Sequence, residues 1–478
     1  MRDYLLLYIN GKEHRVRGEH VFAPLTDYLR YEIAQCGTKV VCAEGDCGAC
    51  TVALGKLDGS EIVYKPVNGC IQYLYQLDCT HIITVEGVKH NGDLNAVQNA
   101  MVDCNGAQCG YCTPGFIVAL CSMFDADKPV SRCSLKEELA GNLCRCTGYE
   151  DIIRAGLAVD KKKQPKFNQQ YPPSSMVKAF KEHLQKPVLI EHDGRSFFNP
   201  LDLQSAIKFK DEHSGAVIVS GGTDVCVIAN KRGFAPPHLI STSHLPDLSA
   251  IEVAGETLVV GARVTLRELE VYVRELVPEF YSVLYIFGSP QIRYAGTLVG
   301  NIANASPIAD TIPFLFVTDA EVEAAGLKGN RRIKVNKLYK GYKTLDLSAD
   351  EIITRVHIPL PKKNDILKLY KVSKREQLDI SSFTAAIKMQ RSESKIASVR
   401  IAYGGVAATV VALPETETFL TGKPFALDTF RAAGEIARKE ITPISDVRGS
   451  KDYRWQLAEN ILVKFYHETA DERELACL

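Results

Sequence analysis

Eight cysteines in two groups are the side chains of this sequence best placed to do chemistry. Cys42, Cys47 and Cys50 stand at C-x4-C-x2-C spacing, with Cys70 further along. This is the spacing with which one loop wraps three thiolates around a [2Fe–2S] cluster and a distant residue supplies the fourth. Gly45 and Gly48 fall between them, where a bare backbone can curl until amide N–H groups point at sulfur and stabilise added negative charge. A structural zinc site or inert core thiols are the competing readings. Cys109-x2-Cys112 and Cys144-x1-Cys146 form a second four. The first of these pairs lies just before an apolar stretch from Gly115, and a helix N-terminus there favours an anionic cluster. Taken alone, this group fits a four-thiolate zinc site as well.

The distribution of thiols favours metal over disulfide. Thirteen of the 15 cysteines lie between Cys36 and Cys146, and the residues beyond contain only Cys226 and Cys477. A disulfide framework spreads through the fold it staples, whereas clustered thiols in a reducing compartment mean metal or redox chemistry. Cysteines 36, 79, 104, 121, 133, 226 and 477 need no role beyond packing. The start, MRDYLLLYINGKEHRVRG, has an apolar stretch too short and too charged for a secretory signal, and no apolar run reaches a membrane span, so a cytoplasmic location is expected. The 57 basic and 57 acidic side chains cancel, leaving no global field for nucleic acid or an anionic membrane.

At 478 residues the chain requires several domains to position these groups. Residues 1–87 alternate short apolar runs (4–9, 40–41, 51–54, 82–85) with glycine turns and one helix over 24–34, the pattern of a small mixed sheet around a cysteine loop. Residues 88–160 turn helical, with segments at 96–102, 115–124 and 151–159 and a capping box, Ser134 to Glu137, starting another, which suggests a four-helix bundle. Residues 161–185, beginning KKKQPKFNQQYPPSSM, read as a surface linker. Beyond it, strand-like runs (216–220, 258–260, 352–358, 396–403) alternate with helical ones (201–210, 266–273, 429–439), giving α+β domains over 186–365 and 366–478.

Two glycine-bearing loops in this last region suit a dinucleotide. Ala216 to Asp224 reads as a buried strand ending in Gly221-Gly222-Thr223, where backbone N–H groups can approach a pyrophosphate. It is neither a P-loop nor a G-x-G-x-x-G fingerprint, and alone it is only a turn. Gly296 to Asp310 is a second loop, without a cationic side chain, that alone passes for a long connection.

The segments CAEGDCGACTV (42–52), GAQCGYCTPGF (106–116) and GNLCRCTGYEDI (141–152) resemble the molybdenum hydroxylase family, in particular its iron–sulfur/flavin subunits of the bacterial xanthine dehydrogenase type. The resemblance covers nearly the whole chain. It implies a β-grasp ferredoxin-like domain, a four-helix [2Fe–2S] bundle, an α+β FAD-binding domain and an α+β C-terminal flavoprotein domain. By the same resemblance Cys42, Cys47, Cys50 and Cys70 hold the cluster nearer the flavin, and Cys109, Cys112, Cys144 and Cys146 the one nearer a partner's molybdenum cofactor, with Gln108 facing the pterin. FAD is implied to contact Ile218, Val219, Ser220, Gly221, Gly222, Thr223, Asp224 and Val225, then Thr297, Leu298, Val299, Gly300 and Asn301, and also Phe287, Asp310, Ile353 and Lys371. The loop Ser373 to Ile380 resembles one whose charges govern NAD docking, and Tyr403-Gly404-Gly405 resembles a landmark of the last domain.

The resemblance then implies an electron-transfer chain: electrons from a molybdopterin-bearing partner pass through two clusters to FAD and NAD+, in a dimer of heterodimers. No acid–base or nucleophilic residue is expected. Flavin suits that junction because it exchanges single electrons as well as hydride. An aldehyde or N-heterocycle substrate, oxygen as acceptor, a stand-alone flavin reductase and a zinc-stabilised binding module are the alternatives.

Overall fold

The computed structural model describes residues 1–89 and 91–470 and divides into two units. The first comprises Met1–Pro246 with Gly288–Gly296; the second comprises Asp247–Phe287 and the chain from Thr297. Cys477 lies outside the described residues.

The first unit opens with the strands β1 (Leu5–Ile9), β2 (Lys12–Val16), β3 (Thr51–Asp58), β4 (Glu61–Asn68) and β5 (Thr80–Ile83), in the sheet order β2-β1-β5-β3-β4. Only β1 and β5 run parallel, which gives the expected β-grasp arrangement. The sequence of β1, LLLYI, is apolar without alternation because both faces are covered. Leu6 and Tyr8 pack with the helical domain, while Leu5, Leu7 and Ile9 pack with Val188, Phe197, Val219 and Leu239. Those last residues belong to a second sheet, β6 (Val188–His192), β7 (Arg195–Asn199), β8 (Val217–Val219) and β9 (His238–Ser241), ordered β6-β7-β9-β8.

Four helices, Ala96–Asp103, Thr113–Asp125, Arg132–Glu138 and Glu150–Ala158, form the helical domain. The capping expectation is corrected by one turn. Ser131, not Ser134, is the N-cap, and Ser134 sits at the third helical position, its hydroxyl oxygen accepting from the Ser131 amide at 2.9 Å. Val40 and Val41 form no strand, since the chain there is already bending into the cysteine loop. The helix expected over 24–34 is present as Leu25–Asp27 followed by a wider turn, Tyr28–Glu32.

The stretch read as a surface linker is not bare chain. It carries the helices Phe167–Gln170 and Ser174–His183, and Phe167, Met176 and Phe180 are buried in the core shared by the first sheet and the helical domain. A single phenylalanine among charged residues gave no periodicity to read, yet it anchors the segment. Backbone bonds at the start of the chain reinforce the joint: the Arg2 amide donates to Pro187 at 2.8 Å, and Leu189 donates back to Arg2 at 2.9 Å. The Arg2 guanidinium pairs with buried Asp78 at 2.6 Å.

In the second unit, Ile251–Ala254, Thr257–Gly261, Ile352–Pro359, Glu321–Gly326 and Gly329–Lys334 lie side by side in that order, all antiparallel. A further antiparallel sheet, Ile366–Val372, Phe383–Ser392, Lys395–Gly404 and Val411–Ala412, shares a core with the helices Leu427–Lys439 and Lys451–Thr469. Tyr403 is fully buried there, donating its hydroxyl to the Ala458 carbonyl at 3.1 Å, a packing role. Among the described residues no helix is long and apolar enough to cross a membrane.

Candidate functional site

The first cysteine loop occupies the chain before β3, and left-handed backbone at Gly45 (φ 78°) and Gly48 (φ 68°) lets it turn twice within a few residues. The amides of Asp46 and Cys47 both donate to the Cys42 sulfur at 3.4 Å, the arrangement expected from the glycine positions. Asn68, at the end of β4, holds the loop by donating to the Gly45 carbonyl at 2.7 Å. Cys70 follows on a short turn, Gly69–Ile71, which the Gly69 amide ties to the Cys50 carbonyl at 3.0 Å.

The four cysteines are linked in a chain of pairwise contacts. Cys42 is hydrogen-bonded to Cys47 and Cys70, and Cys70 in turn to Cys50. Thiols donated by Cys47 and Cys70 draw the Cys42 thiol far down, while proximity to Cys42, added to burial, pushes Cys47 up. Cys70 rises through its contacts with Cys42 and Cys50 and its burial. Sulfurs this close cannot all ionise unless cationic metal neutralises them, so the donor set suits a metal group binding several thiolates.

The second group assembles from two turns. Cys109 and Cys112 precede the helix Thr113–Asp125, which Cys112 caps, and Cys144 and Cys146 follow the helix Arg132–Glu138. All four are free thiols, with Cys112 hydrogen-bonded to Cys144 and Cys146 to Cys109. Burial and then the Cys144 neighbour push the Cys112 thiol up to about 12. Cys144 is lowered despite partial burial, because Thr147 donates to its sulfur from the hydroxyl at 3.2 Å and from the amide at 3.5 Å. Cys109, Cys146 and Gln108 are exposed.

The two loops are joined by a short seam. The Leu143 amide, next to Cys144, donates to the Cys47 carbonyl at 2.9 Å. Asn142 donates to the Gly48 carbonyl at 3.0 Å and accepts from Gln291 at 2.8 Å. A Cβ at Gly48 would lie 2.2 Å from the Gly141 carbonyl oxygen, and one at Gly115 would lie 2.2 Å from that of Gly48, so these glycines set how closely the loops approach. Asn142 and Gln291 were not singled out from the sequence, where an amide beside a glycine carries no distinguishing signal.

The segment Ile218–Val225 lies in the first unit and forms the expected strand end and glycine turn: the end of β8, the turn Gly221–Asp224, and the first residue of the helix Val225–Arg232. Gly222 has φ 69°, and a Cβ at Gly221 would come within 1.9 Å of the Ala295 carbonyl oxygen. Both glycines are therefore required by the fold. Cys226, left without a role in the sequence, is buried against this turn and donates its thiol to Gln76 at 3.2 Å.

Within the second unit, the stretch 296–310 is not simply a loop, for it contains the helix Leu298–Ala303, capped by the Thr297 hydroxyl, which accepts from the Gly300 amide at 2.9 Å. The Asn301 side chain accepts from Thr311 at 2.6 Å. Asp310 and Lys371 form a buried ion pair at 2.6 Å, and the Lys371 ammonium lies 6.0 Å from the centre of the Phe287 ring. These three expected residues are brought together. Ile353 is buried on its strand opposite Ala324. Ser381, missed in the sequence, donates to the other Asp310 oxygen at 2.5 Å. The charged loop considered for NAD docking stops one residue short of it; there Arg375 is bound to Asp379 at 2.7 Å and lowers that carboxyl against the opposing effect of burial.

Three family models match the chain in succession: a [2Fe-2S] binding domain over 84–157, the FAD binding domain in molybdopterin dehydrogenase over 192–361, and a CO dehydrogenase flavoprotein C-terminal domain over 368–469. The chain is similar to xanthine dehydrogenase of Emericella nidulans, 27% identical over 99% of this chain and 39% of that protein, and to aldehyde oxidase 1 of Bos taurus, 27% identical over 98% of this chain and 39% of that protein. It thus spans about two-fifths of the length of the curated relatives it matches. Among solved structures it is similar to quinoline 2-oxidoreductase of Pseudomonas putida 86, with 27% identity, a TM-score of 0.53, and coverage of 57% of this chain and 95% of that one. A [2Fe–2S] domain, an FAD-binding domain and a flavoprotein C-terminal domain thus follow one another along the chain, an order similar to that of the iron–sulfur/FAD part of the molybdenum hydroxylase family.

Proposed function

We propose that the chain carries electrons from a molybdopterin-bearing partner through two [2Fe–2S] clusters to FAD and on to NAD+, as part of a cytoplasmic xanthine dehydrogenase assembled as a dimer of heterodimers. The observation that carries this reading is the gathering of eight sulfurs into two groups joined by the Leu143 to Cys47 hydrogen bond of 2.9 Å. Cys42, Cys47, Cys50 and Cys70 would hold one cluster, and Cys109, Cys112, Cys144 and Cys146 the other, with exposed Gln108 beside the second group on the partner's side. In the first unit, Ile218–Val225 would offer backbone N–H groups to the FAD diphosphate. In the second, Thr297–Asn301 and Ile353 would contact FAD, and the paired Asp310 and Lys371 beside Phe287 would present fixed charge and an aromatic face to it. When bound, FAD supplies the change from single-electron to hydride chemistry that NAD+ requires.

The test is to isolate the chain with its native partner, record iron content, visible absorption and paramagnetic resonance, and assay the complex. Two distinct cluster signals, flavin absorption and NAD+-dependent urate formation from xanthine are expected. A colourless protein with full metal content would sink the redox reading in favour of a zinc-stabilised module. The likeness to an aldehyde oxidase and a quinoline oxidoreductase favours one second reading, the same relay serving an aldehyde or N-heterocycle. Turnover of those substrates without urate formation would establish it.

A further inference from the structure

The helix Val225–Arg232 leads out of the Gly221–Asp224 turn, and its last turn meets the first cysteine loop. Asn230 uses both of its amide protons there: Nδ2 donates to the carbonyl of Ala43 at 3.0 Å and to that of Cys70 at 2.8 Å. Its Oδ1 accepts from the Tyr73 hydroxyl at 2.9 Å. These three bonds fix the amide's orientation, since the flipped group would set its oxygen against two carbonyls. The start of the same helix is held by the same stretch of chain. Gln76 donates to the Gly221 carbonyl at 3.1 Å and accepts from the Tyr73 amide at 2.9 Å and from the Cys226 thiol at 3.2 Å. A Cβ at Gly222 would strike the Gln76 amide nitrogen at 2.3 Å. The segment from Cys70 to Gln76 therefore grips both ends of the helix.

We infer that Asn230 is a positioning residue for the first iron–sulfur site. It registers the loop bearing Cys42 and the turn bearing Cys70 on the helix that begins at the proposed FAD turn, and it raises the reduction potential of the cluster held there. The inference rests on the reading of the first four cysteines as a [2Fe–2S] ligand set. Carbonyl oxygens close to an anionic cluster oppose the addition of an electron. Two N–H donors on those of Ala43 and Cys70 draw off that negative potential and keep both groups from turning toward the sulfurs.

The test uses the full chain with its iron and flavin in place and follows the first cluster by paramagnetic resonance during a redox titration. In Asn230→Ala the potential is expected to fall, shifting electron distribution between cluster and flavin roughly tenfold toward flavin, ~59 mV for one electron. The first cluster's g-values should change while the second cluster's signal and the iron content are kept. Asn230→Asp, which sets a carboxylate against the same carbonyls, is expected to move the potential further in that direction. An iron-replete Asn230→Ala with wild-type potential and g-values overturns the inference. If that variant loses the cluster, Tyr73→Phe decides: removing only the hydroxyl that orients the amide gives a smaller shift of the same sign if the inference holds, and none if it fails. A native chain without a first-cluster signal would instead sink the two-cluster reading itself.

Discussion

Cys50 and Cys70 keep only 1% and 2% of their surface exposed, whereas Cys109 and Cys146 lie open to solvent. The first group sits in a loop closed by strands β3 and β4 and pinned by Asn68; the second hangs on turns between helices, beside the exposed rings of Tyr111 and Tyr149. The same ligand chemistry is thus offered in two dielectric settings. A buried anionic group is shielded from water and is held by the protein alone, while an exposed one leaves its outer face for another surface to complete. That difference fits the inward and outward ends of the electron relay proposed above. It also means that equivalent damage to the two groups should have unequal consequences.

The largest contrast comes from paired ligand substitutions. Cys70→Ser and Cys146→Ser each replace a soft thiolate by a hydroxyl and should each remove half of the bound iron and one resonance signal. Cys70→Ser should in addition destabilise the first unit by on the order of 4 kcal/mol, because the cluster and its buried turn are lost together. For the exposed Cys146 the added cost should be about 1 kcal/mol or less. Iron analysis and denaturant titration of the two variants check this, and equal stability losses would break the comparison.

Glycine substitutions separate the loops by sterics instead. Gly48 has φ 68° and would push a Cβ to 2.2 Å from the Gly141 carbonyl oxygen, so Gly48→Ala carries both left-handed strain and a backbone clash. The expected loss is roughly 3–5 kcal/mol, with the seam between the loops opened. Gly110 has φ 81° but nothing within 4 Å of its would-be Cβ. Gly110→Ala should therefore cost only the conformational strain, about 1–2 kcal/mol. Chemical denaturation of both variants with iron bound measures the gap.

How far these sites were legible in the sequence follows from the range of the contacts. Cysteine spacing and the glycines between them are local signals, and they marked both cysteine groups and the turns that carry them. The continuous apolar run Leu5–Ile9 marked a strand, but not that its two faces serve two different neighbours. Phe167 looked like one ring in a charged linker, since burial against the distant side chain of Tyr64 leaves no periodic trace. Asn142, Gln291, Asn230 and Ser381 were invisible for the same reason: each acts on atoms tens or hundreds of positions away. The helical capping error had a local cause, as Ser131 and Ser134 both satisfy the cap chemistry and only the backbone decides between them.

Acid offers a third contrast. His81, fully buried on β5, accepts from the Gly11 amide at 3.0 Å and shares a hydrogen bond with Tyr64 at 2.7 Å; burial lowers its pKa from 6.5 to about 4. The folded state thus keeps His81 neutral while the unfolded chain takes up a proton below 6.5. Its contribution is complete above about pH 6.5 and is lost progressively as pH falls to about 4, up to about 3 kcal/mol in all. The helical domain from Ala96 to Ala158 contains no histidine. Lowering the pH should therefore erase the first group's resonance signal before the second's, and His81→Gln should flatten the stability difference between about pH 7 and pH 4. Loss of the second signal first would reverse the assignment of the more acid-sensitive site.

The smallest effect is expected at the seam itself. Asn142 is buried, donates to Gly48 at 3.0 Å and accepts from Gln291 at 2.8 Å. In Asn142→Ala the Gly48 carbonyl still accepts from the Thr51 hydroxyl at 2.6 Å, so the acceptor is not orphaned. Gln291 is left with only a long contact to the Thr51 hydroxyl at 3.4 Å. One weakened donor and a small void should cost about 1–2 kcal/mol. The Leu143 to Cys47 bond, made by backbone alone, survives the change. Both cluster signals should therefore persist with their magnetic interaction slightly weakened, measurable as a reduced splitting when both clusters are reduced. An unchanged splitting with the full stability loss would show that the backbone bond and the glycine contacts alone set the spacing of the loops, and that the amide pair contributes only to packing.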